Sequence, residues 1–269
     1  MAGEMGAEPI LCGFAGGENG PLVEMLLGRL AGERRLVATA GPSGAYVHDR
    51  RDGERRPIAL EAAPPPSRHE LDDLLSVTCA EALTSDLLVV CNAFPPDAVP
   101  LEAYAELVSD VRSNGVPVIV DLSAPRLDRA LAAKPDLAKL NDWELAERIR
   151  APVDPPERLL AAARGILADG AGAVLVTRGG EPALLLDGTR QPLWVVPPRF
   201  DRGMREGCGD SMTGAIAAAI AGGADLRAAV RLGAAAGAAN FLRHGLGTGS
   251  RSVVESLVER VRLEPYPGV

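Results

Sequence analysis

The chain has 269 residues, of which 47% are hydrophobic and 24% charged, with a net charge of −8. That length can bury a full core, and the composition is that of a soluble globular protein. The negative balance argues against nucleic acid or an anionic membrane as the main partner, because phosphate contacts need clustered Lys and Arg.

Met1-Ala2-Gly3-Glu4 lacks the basic and apolar regions of a signal peptide. Pro9 to Phe14 is a short apolar run that reads as a buried strand. Asn19 can cap the following helix, with Pro21 in its first turn and Leu22, Met25, Leu26 and Leu30 apolar. Leu36 to Ala40 reads as a second strand. Ala45 to His48 and Pro57 to Leu60 flank an Asp52-Gly53 step, the signal of a small hairpin flap over 45–60. Ser67 and Glu70 form a capping box ahead of a helix to about Ala82.

From Leu87 the pattern becomes regular. Strands are expected at Leu87 to Cys91, Val116 to Asp121, Leu137 to Leu140 and Ala173 to Thr177. Helices near Leu101 to Asn114, Arg126 to Ala133, Asn141 onward and Pro156 to Ala168 separate them. Apolar strands alternating with helices imply an α/β fold, a doubly wound and mostly parallel sheet covered on both faces. Ala183 to Asp187 and Leu193 to Val196 read as antiparallel edge strands. A helix from Ser211 to Ala221 and another capped by Asp225, running to about Arg243, are rich in Ala and Gly and can pack closely. Gly245 to Gly249 closes the pattern. One domain over 1–269 is expected, and no apolar run reaches the roughly 18 residues of a spanning helix. Cys12, Cys79, Cys91 and Cys208 form no Cys-x-x-Cys pair, which points to reduced thiols in a cytoplasmic setting. His48, His69 and His244 show no metal spacing.

The stretch Gly207-Cys208-Gly209-Asp210 is a glycine turn running into a helix. Backbone N–H groups there converge with the positive end of the helix dipole, which suits an anion. Asp210 at the mouth is either a helix cap or a functional carboxylate. Cys208, at a helix N-terminus, is either a reactive thiol of lowered pKa or a stand-in for a small Ala. In a doubly wound sheet, ligands sit outside the carboxyl ends of the strands. Asn141 and Glu144 fall there, one helical turn apart. An amide and a carboxylate at that spacing suit the hydration shell of Mg²⁺, and equally suit a plain capped helix start. Thr177-Arg178-Gly179-Gly180 could lie under a nucleotide or end a strand.

Taken in this order, these elements resemble the ribokinase-type PfkB carbohydrate kinases, closest to the 1-phosphofructokinase and tagatose-6-phosphate kinase branch. Gly207 to Asp210 matches the Gly-Ala-Gly-Asp turn. Lys139-Leu140-Asn141-Asp142-Trp143-Glu144 matches Lys-Pro-Asn-x-x-Glu with Leu140 for Pro, and Val176 to Gly180 resembles the nucleotide loop, with Pro182 in place of its later glycine. The resemblance implies a ribokinase-like fold and ATP-dependent phosphoryl transfer to an alcohol of a sugar or sugar phosphate. Asp210 would be the general base, the Gly207, Cys208 and Gly209 backbone would hold the phosphoryl group, and Asn141 and Glu144 would act through Mg²⁺. Thr177, Gly179 and Asn240 would border the nucleotide. A homodimer is compatible with it; membrane and nucleic-acid partners are not expected.

The acceptor side departs from the family. The opening strand with an Asn-Pro-x-x-Asp element and the following Gly-Gly-Lys-Gly-x-Asn segment have no counterpart, so the chain reads as N-terminally truncated relative to its family. The Gly-Ser-x-Pro loop reads Asn92-Ala93-Phe94-Pro95. If the sugar is still held, Asn92, Ser123 and Arg126 are the residues to hold it. A gap or a rearranged sheet near Pro9 to Phe14, or a partner chain covering it, is expected; the alternative to a kinase is a weak or inactive nucleotide-binding member with a regulatory role. A Rossmann-type dehydrogenase is ruled out, since Gly13 to Gly17 does not supply G-x-G-x-x-G.

Overall fold

The computed structural model describes residues 1–30, 32–51, 56–188, 191–243, 245, 247 and 249–267. The Asp52-Gly53 step, His244, and Leu246 and Thr248 of the glycine-rich closing run lie outside the described residues. A single 3-10 turn, Gly3–Met5, leads into β1 (Ile10–Gly16), α1 (Gly20–Leu27) and β2 (Glu33–Thr39). β1 and β2 pair in parallel as a sheet of their own. Asn19 precedes α1 without capping it; its amide donates to the Ser43 carbonyl. β3 (Ala45–Asp49) and β4 (Arg56–Glu61) form the expected hairpin, and every described residue of β4 is exposed. α2 (Arg68–Ala82) starts at the expected capping box, with Ser67 accepting from the Glu70 N–H and Glu70 from the Ser67 N–H.

The rest builds the main sheet. In chain order come β5 (Leu88–Cys91), α3 (Leu101–Ser113), β6 (Val118–Asp121), α4 (Arg126–Leu131), β7 (Leu137–Asn141) and α5 (Asp142–Ile149). They are followed by α6 (Pro156–Ala168), β8 (Val174–Arg178), β9 (Glu181–Leu186), β10 (Leu193–Val196), α7 (Cys208–Ala221) and α8 (Leu226–Phe241). The chain ends with α9 (Arg251–Val258) and β11 (Arg262–Pro265). Among the described residues the sheet has seven strands, ordered β11-β10-β9-β8-β7-β6-β5. β5 to β8 run parallel, while β9, β10 and β11 are antiparallel to their neighbours. Of the expected alternatives the rearranged sheet is present: among the described residues β5 bonds only to β6, and the β1–β2 pair forms a separate sheet.

Side chains alternate across this sheet, as the two-residue period of a strand requires. Val118, Val120, Leu140, Val174 and Val176 pack on the face covered by α3 to α6. Ile119, Leu137, Leu175 and Leu185 pack on the face covered by α7, α8 and α9. Small residues let α7 and α8 approach closely; a Cβ on Gly233 would stand 2.5 Å from the Ile216 side chain. α9 and β11 were not legible in the sequence, because three of the four β11 residues are exposed and its pattern carries little apolar signal. α7 begins at Cys208, not at Ser211, so Gly209 and Asp210 belong to its first turn.

Candidate active site

The parallel register sets Cys91 beside Asp121 and Asp121 beside Lys139, and further along sets Asn141 beside Thr177. These strand ends open into a cavity of about 960 Å³, closed on the other side by the start of α7 and the middle of α8. The opening lies where a doubly wound sheet receives ligands.

Gly207 caps α7 at φ 74°, a left-handed conformation that glycine adopts without penalty. The first N–H groups of a helix have no carbonyl four residues back. That of Cys208 is taken by the Arg205 carbonyl at 3.2 Å, leaving those of Gly209 and Asp210 without an intrahelical acceptor. The Asp210 side chain is exposed and lines the cavity. Donors, dipole and carboxylate thus meet at one place.

Below this turn lies a buried polar cluster. The Lys139 ammonium donates to Asp121 Oδ2 at 2.7 Å, and the Thr213 hydroxyl lies 2.6 Å from the same oxygen. Asn141 and Glu144 form a complete capping box: Asn141 Oδ1 accepts from the Glu144 N–H at 2.9 Å, and Glu144 Oε2 from the Asn141 N–H at 2.8 Å. Both also line the cavity, so capping and a role in binding coexist. Burial raises the Glu144 pKa, and nearby Asp121 adds to the rise; the Asn141 N–H and the Lys139 charge oppose it. A partly desolvated carboxylate of this kind gains from a nearby cation.

Thr177 and Gly179 line the cavity, with Gly179 at φ 61°. Asn240 does not line it. Its side chain is fully buried, and its amide donates to the Glu206 carbonyl at 2.8 Å, bracing the turn from α8. Of the two readings open for Cys208, its surroundings favour a stand-in for a small residue. Its thiol lies 3.2 Å from the Met204 carbonyl, and burial raises its pKa, outweighing the Asn240 hydrogen bond; Glu206 and Asp210 raise it further. Desolvation of the thiolate is the largest cause, which runs against an activated thiol.

On the other flank, Asn92 lines the cavity, whereas Ser123 and Arg126 stand behind it. The Ser123 N–H and hydroxyl reach Asn92 Oδ1 at 3.2 and 3.3 Å, and buried Arg126 donates to the Pro96 carbonyl at 2.6 Å. Arg126 therefore holds the 92–96 loop in place.

The model of the pfkB family carbohydrate kinases matches residues 36–252. This chain belongs to the pfkB family. The 1-phosphofructokinase of Rhodobacter capsulatus is 34% identical over 165 residues, a match covering 61% of this chain and 52% of that enzyme. The ATP-dependent 6-phosphofructokinase isozyme 2 of Escherichia coli K12 is 32% identical over 238 residues, covering 86% of this chain and 75% of its own length. The chain thus spans about half of the first relative and three quarters of the second. The crystal structure of E. coli phosphofructokinase-2 in complex with potassium superposes at a TM-score of 0.85 and 28% identity, over 96% of this chain and 84% of that one. An Arabidopsis thaliana ribokinase complexed with ribose and ATP shares the fold at a TM-score of 0.75 and 20% identity, over 95% of this chain and 83% of that one.

Within this pfkB fold, the cavity-floor residues Cys91 and Asp121 escaped sequence reasoning, and Lys139 was read only as the first residue of a motif, with no role of its own. Asp121 ends an apolar strand and Lys139 interrupts one. A charge inside a buried run was the available signal, since such a charge is rarely buried without a partner.

Proposed function

We propose that this chain is a single-domain, ATP-dependent phosphotransferase that moves the γ-phosphoryl group to an alcohol of a sugar or sugar phosphate, as a phosphofructokinase does. The observation that carries the reading is Asp210, exposed in the first turn of a glycine-capped helix at the carboxyl ends of the parallel strands. Phosphoryl transfer needs positioning and charge neutralisation more than covalent help from the protein. In this reading Asp210 takes the proton of the acceptor hydroxyl and the Gly207 to Gly209 backbone receives the phosphoryl group. Thr177 and Gly179 border the nucleotide, Asn240 keeps the turn in shape, and Asn92, backed by Ser123 and Arg126, meets the acceptor.

Mg²⁺ would arrive with the nucleotide. Among the described residues no group of three His, Cys, Asp or Glu side chains converges to hold a metal by itself. Asn141 and Glu144 fit the outer shell of a hydrated ion, which supplies charge neutralisation on the phosphates. Among the described residues no helix is long and apolar enough to cross a membrane.

A second reading, a weak or inactive nucleotide-binding member with a regulatory role, draws on the edge of β5, unpaired among the described residues, and on the apolar residues exposed on α1. Release of ADP from Mg–ATP, measured with fructose 1-phosphate, fructose 6-phosphate and tagatose 6-phosphate, separates the two. Acceptor-dependent release that vanishes in Asp210→Asn supports the transferase. Nucleotide binding without release under any acceptor supports the second reading.

A further inference from the structure

Among the described residues four cations line the cavity: Lys139, Arg178, Arg199 and Arg205. Three have partners. Lys139 pairs with Asp121 at 2.7 Å and Arg199 with Glu181 at 2.7 Å, while Arg178 lies 3.7 Å from Asp154 and over the Trp194 ring. The exposed guanidinium of Arg205 makes no ion pair or hydrogen bond among the described residues, although Asp201, Glu206 and Asp210 belong to the same stretch of chain. The backbone beneath it is nevertheless tied down. The Met204 N–H donates to the Phe241 carbonyl at 2.8 Å, and the Glu206 carbonyl accepts from the Asn240 amide at 2.8 Å, so α8 holds the residue on either side. The Arg205 carbonyl itself accepts from the Cys208 N–H at 3.2 Å. A fixed base carrying a free, planar fork of donors suits an anion that presents two oxygens at once. The flap meets the chain at the next residue: the Arg50 guanidinium, just past β3, donates to Met204 Sδ at 2.9 Å. A thioether is a weak and uncharged acceptor, so Arg50 brings a second positive charge to this stretch without neutralising it.

We infer that Arg205 is a specificity-determining residue: its guanidinium pairs with a phosphate already carried by the acceptor, and so selects a sugar phosphate over an uncharged sugar. The inference rests on the phosphotransferase reading above and narrows it to the phosphorylated acceptor. In that reading the transferring group is received at the Gly207 to Gly209 turn, two residues beyond Arg205. Two extended residues span about 7 Å, which is the scale of a hexose. A sugar that offers one hydroxyl to Asp210 therefore has a second phosphate-bearing carbon within reach of the Arg205 side chain. The flap contact at Met204 places this arginine on the acceptor's side of the turn. An uncharged sugar would leave the fork in water and gain nothing from it.

The test is calorimetric titration of the full chain, Arg205→Gln and Arg205→Lys with fructose 1-phosphate, fructose 6-phosphate, fructose and Mg–ATP. The unsubstituted chain should bind at least one of the two sugar phosphates more tightly than fructose. Arg205→Gln should lose roughly 10–100-fold in affinity for that sugar phosphate and keep its affinity for Mg–ATP. Arg205→Lys should recover part of the loss, because it restores the charge without the fork. A merely structural arginine would not move the preference for sugar phosphate over fructose. Should Arg205→Gln fail to fold, as judged by its thermal melt, Arg205→Lys carries the test, with a smaller loss confined to the sugar phosphate. Sugar-phosphate affinity that does not depend on Arg205 overturns its role. So does a loss of Mg–ATP affinity as large as the loss of sugar phosphate, or an unsubstituted chain that does not prefer sugar phosphate to fructose. Absence of Mg–ATP binding by the unsubstituted chain overturns the phosphotransferase reading and this inference with it.

Discussion

The part of the molecule carrying α7, α8 and the seven-stranded sheet differs from the part carrying β1, β2, α1 and the hairpin in how it uses apolar surface. In the first, Ile119, Leu175, Leu185 and Ile216 are all but inaccessible and pack into one continuous layer. In the second, Leu22, Met25, Leu26 and Leu30 on and after α1, and Tyr46, Val47, Ile58 and Leu60 on the hairpin, are exposed. The polar groups follow the same division. Around α7, Gly207, Asp121, Lys139, Thr213 and Asn240 are held by the sheet and by α8. On the acceptor flank, Asn92 sits on an exposed loop beside an edge strand. A site gains precision from rigid, buried support. The α7 end of the cavity, which the proposed reading gives to the nucleotide, therefore has its scaffold, and the Asn92 end, which it gives to the acceptor, is open.

The largest effect expected on this contrast is chemical. Asp210→Asn should lower turnover by roughly 10²–10⁴ while Mg–ATP affinity stays as it was, because only the proton acceptor is lost. Steady-state rates beside nucleotide titration check this, and unchanged turnover would remove Asp210 from its role. Stability gives the next test. Leu175→Ala should cost about 2–5 kcal/mol in urea unfolding. Leu22→Ala, on the exposed face, should stay within about 0.5 kcal/mol. Similar costs at the two positions would erase the distinction between the two parts. At the turn itself, Gly207→Ala puts a Cβ on a left-handed residue and should cost about 1–2 kcal/mol in a thermal melt. An unchanged melt would mean that the turn tolerates another backbone shape.

The smallest effect concerns pH. Burial raises the Glu144 pKa in the folded chain above the ordinary carboxylate value. The folded state therefore holds this proton more tightly than the unfolded state. Its contribution to stability is fully present below the unfolded value and is lost as pH rises through the folded one. Glu144→Gln keeps an oxygen for the Asn141 N–H and removes the titration. The wild-type chain should then lose stability relative to this variant as pH rises from 4 to neutrality, read from paired melts. A constant difference would show that the carboxylate is well solvated.

Much of the main sheet was legible, because Val116 to Asp121 and Ala173 to Thr177 are runs that burial on both faces demands, and Ser67–Glu70 and Asn141–Glu144 announce helix starts. The turn at Gly207 was legible for the same local reason, though the helix began earlier than its apolar pattern showed. What could not be read were facts of tertiary placement. Periodicity does not tell that Asn240 turns inward to the Glu206 carbonyl, that Arg126 serves the 92–96 loop from behind, or that Lys139 reaches under Gly209. The direction of the Cys208 shift depended on burial, which the sequence does not display.

The central claim of the proposed reading is that the α7 end of the cavity is a complete nucleotide site and the Asn92 end an incomplete acceptor site. Calorimetric titration of this chain with Mg–ATP, and separately with fructose 1-phosphate and fructose 6-phosphate, tests it most directly. The account predicts saturable binding of Mg–ATP and markedly weaker binding of either sugar phosphate. Tight binding of a sugar phosphate by a chain that shows no heat with Mg–ATP would contradict it.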